Sequence, residues 1–383
     1  MKIYFKAVLA GIFLGVMSLN MPAQNVIQIT KPTAHLIPIS VTGFTGEAKS
    51  VLEFDLSVLG MEITEPADYI VSGRDAGGVE GSLTQAGMNR PIFSRAYNGG
   101  NARSQAHAFA NDIAKELRQT APIFQSKIAF RLTRGGTTEI CVSDYDGHNP
   151  VVLTHDGAMV DSPSWLPGGR ALLYTSWMNG NTEIYEHNLA TGARRVFAGY
   201  PGSSFSAEVS PDGQEVAMIL SKGGSPNLYV CDINGTHLTQ LTHTREEDSS
   251  PCWSSDSREI CFACRSGRAM LEKISVDGGP VVPVHAAGAY GNLTAPDWSP
   301  DGSKIAFTTG SRPFSIWVMP AGGGAAERLV TGEDPCWAPN SRTIIFAQER
   351  NDKRVLCLLD VPTKHVKDVR QILGSCSEPS WAR

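Results

Sequence analysis

The chain has 383 residues, 42% hydrophobic and 19% charged, with a formal net charge of -5. That length accommodates two domains. The mild acidity argues against nucleic acid or an anionic membrane surface as a partner, since both favour a basic face.

Met1–Lys6 is a short basic start, Ala7–Leu19 an apolar run, and Met21-Pro22-Ala23 a small-residue cleavage site before Gln24. The pattern predicts a secretory signal over 1–23. The run is too short to span a bilayer easily, and no Cys lies at its end to take a lipid anchor. Its removal takes away Lys2 and Lys6 and no acid, so 31 basic and 38 acidic residues leave a charge of -7. Export would permit disulfides among the eight cysteines, with a connectivity that spacing alone does not determine.

Residues 24–122 predict a small α/β domain preceded by an arm, Gln24–Ala34. Leu36–Val41 and Tyr69–Ser72 read as strands, and Glu80–Gln85 with Ile92–Tyr97 as a hairpin. Ala48–Leu59 and Arg103–Arg118 read as helices. In the second, Ala106, Phe109, Ala110, Ile113, Ala114 and Leu117 recur at helical spacing. Thr120-Ala121-Pro122 ends it, because proline cannot continue a helix.

From residue 123 onward the chain repeats. The phrase before a tight turn recurs at Trp165, Val209, Trp253, Trp298, Trp337 and Trp381, in steps of 44, 44, 45, 39 and 44 residues. Its fullest form is Pro296-Asp-Trp-Ser-Pro-Asp-Gly302, followed by the apolar triplet Ile305-Ala-Phe307. A third strand follows, as in Glu183–His187 or Asn227–Cys231, then a turn such as Asn234-Gly235, then a fourth strand such as Leu238–Thr242. Four antiparallel strands at this period describe a propeller blade. Ile128-Ala-Phe130 lacks a preceding Trp phrase, and Trp381 lacks a following triplet. Together they complete one blade. The expected fold is therefore multidomain: a small α/β domain (24–122), then a six-bladed β-propeller (123–383) closed by pairing its two ends. The Trp residues are expected to pack between blades.

The chain carries no Gly-x-Ser-x-Gly nucleophile elbow; the nearest stretch, Gly223-Gly-Ser-Pro-Asn227, lacks the closing glycine. The histidines His148, His155, His187, His237 and His243 stand singly, and no His-Glu-x-x-His motif exists. Asp144-Tyr-Asp-Gly147 begins like a calcium loop without its remaining ligands, and Gly322-Gly-Gly324 opens no helix that would cradle phosphate. Cys261 and Cys264, three apart on a strand, point to opposite faces. Cys252 and Cys261 flank a hairpin turn, where a cross-strand bond is geometrically feasible. No catalytic residue, cofactor or metal site is expected.

What remains is a binding face. The blade-to-blade crossings run just before each Trp phrase and rim the central channel. They are short, acidic and hydroxylic, and their candidate contact residues are Asp161, Ser162, Ser203, Ser206, Asp248, Ser249, Ser250, Thr294, Asp334 and Glu378. Two other readings use the same ring: a periplasmic hydrolase or lyase, and a glycan-fragment binding protein. The first needs a converging acid–base or metal set; the second needs apolar crossings, where only Phe205 and Leu293 qualify.

The chain resembles the TolB family, the periplasmic component of the Tol-Pal system. The resemblance rests on the exported start, the α/β domain, the Ser-Pro-Asp-Gly turns and the closing Pro379-x-Trp381. Its most specific stretch is Lys127–Asn149, above all Val142-Ser-Asp-Tyr-Asp-Gly147, with Ser221-Lys222 and Asn227–Val230 as a second match. It implies a monomeric, non-enzymatic adaptor that binds the lipoprotein Pal through the propeller and TolA through its N-terminal segment, supporting the outer membrane during cell division. Pal contact carries over to Ser203 and Ser206 and to Ser249 and Ser250. A family His is Ser203 here, and a family Glu is Ser250. TolA contact carries over to the arm, at Val26, Ile27 and Ile29, which keeps the apolar start but lacks the family's acidic residues. The turns at Leu166–Gly169, Ser254–Ser257 and Ala338–Ser341 also depart from the family pattern.

Overall fold

A computed structural model describes residues 35–310, 312–369 and 371–383. The expected signal and arm, with Val26, Ile27 and Ile29, lie outside the described residues. Among these, no helix is long and apolar enough to cross a membrane.

The α/β region runs β1 (Ile37–Thr42), α1 (Gly46–Val58), β2 (Met61–Ile63), β3 (Tyr69–Arg74), β4 (Val79–Gln85), β5 (Phe93–Tyr97) and α2 (Ala102–Arg118). The sheet order is β2-β1-β3-β4-β5. Strand β1 pairs in parallel with β2 and β3, and β3, β4 and β5 are antiparallel. The short β2 has no alternating pattern that would announce it. Helix α2 starts at a capping box: the Asn101 side chain accepts from the Ser104 N–H at 2.9 Å, and the Ser104 hydroxyl accepts from the Asn101 N–H at 3.1 Å. Its apolar stripe buries Phe109 against the sheet. That close approach needs Gly81, where a Cβ would sit 2.2 Å from the Phe109 ring.

Among the described residues six four-stranded sheets form the propeller. Blades 1 to 5 span 160–198, 204–240, 247–283, 293–331 and 333–368. Blade 6 takes its inner strand from Ser375–Trp381 and the others from Lys127–Arg134, Thr137–Asp144 and Val151–Val152. Trp381 pairs with Ile128 and Ser380 with Ala129, so the two ends of the repeat region close the ring as expected.

Side-chain alternation on the second strand builds the cores between blades. The outer residues of each triplet face the preceding blade and the middle one faces the next. Ile260 and Phe262 pack with Ala217 and Ile219 of blade 2, whereas Cys261 packs with Ile305 and Phe307 of blade 4. Cys264 lies with Phe262, so Cys261 and Cys264 do face opposite ways. Each fully buried Phe of this row contributes roughly 2–3 kcal/mol of transfer free energy. The Trp that ends the inner strand in five of the six blades packs the same seams. The Trp165 indole N–H donates to the Ser380 carbonyl at 3.1 Å, and that of Trp253 to the Glu208 carbonyl at 2.8 Å.

The Ser-Pro-Asp-Gly turn is self-capped. The Ser210 hydroxyl donates to Asp212 at 2.6 Å and accepts from the Glu215 N–H at 3.0 Å; Ser299 and Asp301 repeat this before Lys304. The departing turns have their own logic. Ser257 and Ser341 stand where glycine is usual, at φ +61° and +52°. Their hydroxyls accept the N–H of Asp212 and of Asp301 from the preceding blade, at 3.1 and 2.9 Å. Each side chain thus fastens two turns in return for its backbone strain.

The α/β region shares its core with the seam between blades 5 and 6, where Leu52, Ala106 and Phe124 join Phe130, Tyr145, Leu358 and Trp381 in one cluster. Asp144–Gly147 is a tight turn, closed by the Gly147 N–H donating to the Asp144 carbonyl at 2.8 Å. Its Tyr145 points inward: the hydroxyl donates to Asp55 of α1, and the ring stacks on Trp381 at 6.1 Å. The next residue, Asp146, pairs with Arg103 of α2.

Candidate functional site

The six inner strands line a central channel, and each is broken at the same place. The register shifts between Leu173 and Thr175 opposite the inner strand of blade 1, and in the other blades between residues 205 and 208, 249 and 252, 294 and 297, 333 and 336, and 377 and 380. At each bulge, three positions before the Trp position, one residue is left-handed: Ser162, Ser206, Ser250, Ala295, Asp334 and Glu378, with φ between +46° and +54°. Non-glycine residues rarely adopt this region, and such strain gathers where the surrounding structure over-determines it.

At four of the six positions a side chain of the preceding blade over-determines it. The Ser206 N–H donates to Thr175 Oγ1 at 3.1 Å and that of Asp334 to Thr308 Oγ1 at 3.1 Å. The Glu378 N–H donates to Asp334 Oδ2 at 3.2 Å and the Ser162 N–H to Glu378 Oε2 at 2.8 Å. Blades 5, 6 and 1 are thereby linked through their own mouth residues.

The crossing-side mouth encloses a cavity of about 310 Å³. Of the ten predicted crossing residues, Asp161, Ser162, Ser206, Ser250, Asp334 and Glu378 line it. Ser203, Asp248, Ser249 and Thr294 stand outside its walls. Asp248 is buried and accepts from the Thr242 hydroxyl. Ser249 pairs with Ala263 and Thr294 with Thr308 within their blades, and the Ser203 N–H donates to Ser221 Oγ at 2.7 Å. Two acids that the repeat spacing does not single out also stand here. Glu208 and Asp297, each one residue before the Trp position, line both this cavity and a second one at the far end of the channel. They form its waist with Cys336 and Ser380.

The mouth is an acidic patch held against the cost of its own burial. Burial, then the nearby Glu378 and Glu333, push the Asp334 carboxyl up to about 7. Burial, then Asp161, raises Glu378; burial raises Asp161 as well. Arg131 answers this group, pairing with Glu378 at 2.8 Å and donating to Ser377 Oγ at 3.0 Å. At the waist Arg383 pairs with Asp297 at 2.8 Å, while burial pushes Glu208 up to about 7. Clustered acids with hydroxyl and backbone donors between them suit a partner that brings hydrogen-bond donors or positive charge. Among the described residues no group of three His, Cys, Asp or Glu side chains is arranged to hold a metal ion.

Residues 115–383 match the family model described as the TolB beta propeller domain. The chain belongs to the TolB family. The Tol-Pal system protein TolB of Bordetella pertussis is 30% identical over 73% of this chain and 65% of its own length. That of Anaeromyxobacter dehalogenans (strain 2CP-C) is 28% identical over 62% of this chain and 64% of its own. The matches thus span just under two thirds of these relatives. The crystal structure of TolB from Acinetobacter baumannii has the same fold, with a TM-score of 0.78 over 91% of this chain and 98% of that one, at 20% identity.

Proposed function

We propose that this protein is a periplasmic, non-catalytic adaptor of the Tol-Pal system. The crossing-side mouth receives a Pal-like lipoprotein, and the N-terminal arm around Val26, Ile27 and Ile29 receives a TolA-like inner-membrane protein. Such bridging would support outer-membrane integrity and invagination during cell division. In this reading residues 1–23 are the export signal, cleaved near Ala23, residues 24–122 form the arm-bearing domain, and residues 123–383 form the partner-binding ring.

One observation carries the reading: the ring of six left-handed residues at the channel mouth. A strained rim, cross-braced at Ser162, Ser206, Asp334 and Glu378, presents these residues beside Ser250 at the mouth, and pre-organisation of this kind favours protein recognition. Family membership supports the choice of partner system.

The test is binding of the purified soluble domain of a Pal-like lipoprotein from the same cell. Ser250→Arg places a long cation in the mouth at a backbone position already left-handed, so the ring stays folded. We expect affinity to fall by at least about tenfold with an unchanged melting temperature. Equal affinity of wild type and variant would exclude the mouth as the contact surface. A pull-down from envelope extract that recovers neither a Pal-like nor a TolA-like protein would count against the adaptor role.

A further inference from the structure

The far end of the channel opens among the turns that join first and second strands, opposite the crossing-side rim. It encloses about 230 Å³. Trp165, Trp253, Trp381, Pro167 and Pro211 supply its apolar lining, Asp297 and Arg383 stand in the same walls, and Glu208 stands at its inner end. Blade 2 breaks the repeat here. Five blades carry Trp at the end of the inner strand, and this one carries Val209. The smaller side chain lines the cavity directly beside Glu208.

The charges at the waist do not balance in the same way. Asp297 is answered by Arg383. Glu208 is half-buried and makes no ion pair among the described residues, its carboxylate being held by the Ser164 hydroxyl. Arg383 lines the same cavity and acts on Glu208 through space, but its guanidinium is engaged by Asp297. A half-buried carboxylate without an ion-pair partner of its own is costly, and a site with converging polar groups among aromatic side chains is a common form of ligand site.

We propose that this far mouth binds a small organic cation, a compact apolar body that carries one amidinium or guanidinium group to Glu208. The indoles and prolines take the body, and the carboxylate takes the charge in a charge-assisted, two-pronged hydrogen bond. The cavity matches a single-ring amidine of roughly nine heavy atoms. The titratable groups facing Glu208 are Asp297, Arg383 and the thiols of Cys252 and Cys336. Because burial holds the Glu208 carboxyl near 7, a bound cation displaces its proton, and affinity rises between pH 6 and pH 8.

The experiment is calorimetric titration of the full chain with benzamidine, with agmatine as an alkyl guanidinium, and with neutral benzamide. Benzamidine or agmatine should bind with Kd on the order of 1 mM or tighter, and benzamide should not. Glu208→Gln should weaken binding at least about tenfold, and so should Ser255→Tyr, which narrows the exposed rim. If Glu208→Gln does not fold, the rim variant and the contrast with benzamide still decide the matter. No binding of either cation at about 10 mM, or undiminished binding to both variants, overturns the proposal. The outcome is independent of whether the opposite mouth binds a lipoprotein.

Discussion

Arg383 and Asp297 are 86 residues apart in sequence and meet at the waist of the channel, Nη2 lying 3.0 Å from Oδ1 and 2.8 Å from Oδ2. The same guanidinium donates to the Trp337 carbonyl at 3.3 Å, and Asp297 accepts the Trp337 N–H at 2.5 Å. One side chain thus braces blades 4, 5 and 6 from inside. Without it, a nearly buried carboxylate keeps only a backbone donor. Arg383→Ala should destabilise the fold by about 1–3 kcal/mol. Asp297→Asn should cost less, and the double variant little more than Arg383→Ala alone. Urea unfolding of the four proteins measures the coupling, and strict additivity would refute it.

Closure by Trp381 makes a larger prediction. This indole pairs its strand with Ile128, donates to Ser126 Oγ at 2.6 Å and stacks on Tyr145. Trp381→Ala should cost about 3–5 kcal/mol. Removal of residues 375–383 should expose the edge of blade 6 and yield an aggregating chain. A truncated protein that remains monomeric with wild-type melting would contradict the closure.

The ring was legible because its signal repeats: six phrases at near-constant spacing leave Ile128 and Trp381 as the only unmatched pieces. The rim was legible only in part. The crossing residues were found by position, but the bulge that turns Ser206 and Glu378 left-handed adds one residue to the inner strand and resets its alternation. Simple parity therefore gave no reason to place Glu208 and Asp297 in the channel. A comparison of the residue before each Trp position, Ser164, Glu208, Cys252, Asp297, Cys336 and Ser380, carries the missing signal. Arg131 and Arg383 were not legible, since each acts on acids that only the closed ring brings near.

The junction of the α/β region with the ring rests on Asp55. It is fully buried, accepts from the Tyr145 hydroxyl, and shares a hydrogen bond with His107 Nδ1 at 2.7 Å. Burial raises its carboxyl pKa, with the His107 charge opposing. Tyr145→Phe preserves the ring stack and removes one donor, so it should destabilise by about 1–3 kcal/mol. The loss should appear first as faster hydrogen exchange in α1 and β2, where the α/β region meets blades 5 and 6. Unchanged exchange there would show that the hydroxyl adds nothing to the junction.

The acids of the mouth set the direction of the pH response. Asp334 in the folded chain holds its proton up to about 7, against roughly 4 when unfolded. Between those values the folded state binds more protons than the unfolded state, so this residue's contribution to stability falls as pH rises through the window and is constant above it. Glu208 acts in the same sense over the same range, and Glu378 and Asp161 are shifted in the same direction. Asp334→Asn keeps an acceptor for the Glu378 N–H and removes the titration. At pH 8 the variant should be more stable than wild type by about 1–2 kcal/mol, the channel water screening part of the full effect. That corresponds to roughly 2–6 °C in melting temperature. At pH 4, where wild-type Asp334 is protonated in the fold, the two should melt together. Melting curves from pH 4 to pH 8 give the difference directly, because contributions of groups distant from Asp334 cancel between the two proteins. A variant less stable than wild type at pH 8 would mean that Asp334 is held ionised by Arg131, and that the rim presents a full negative charge to its partner at neutral pH.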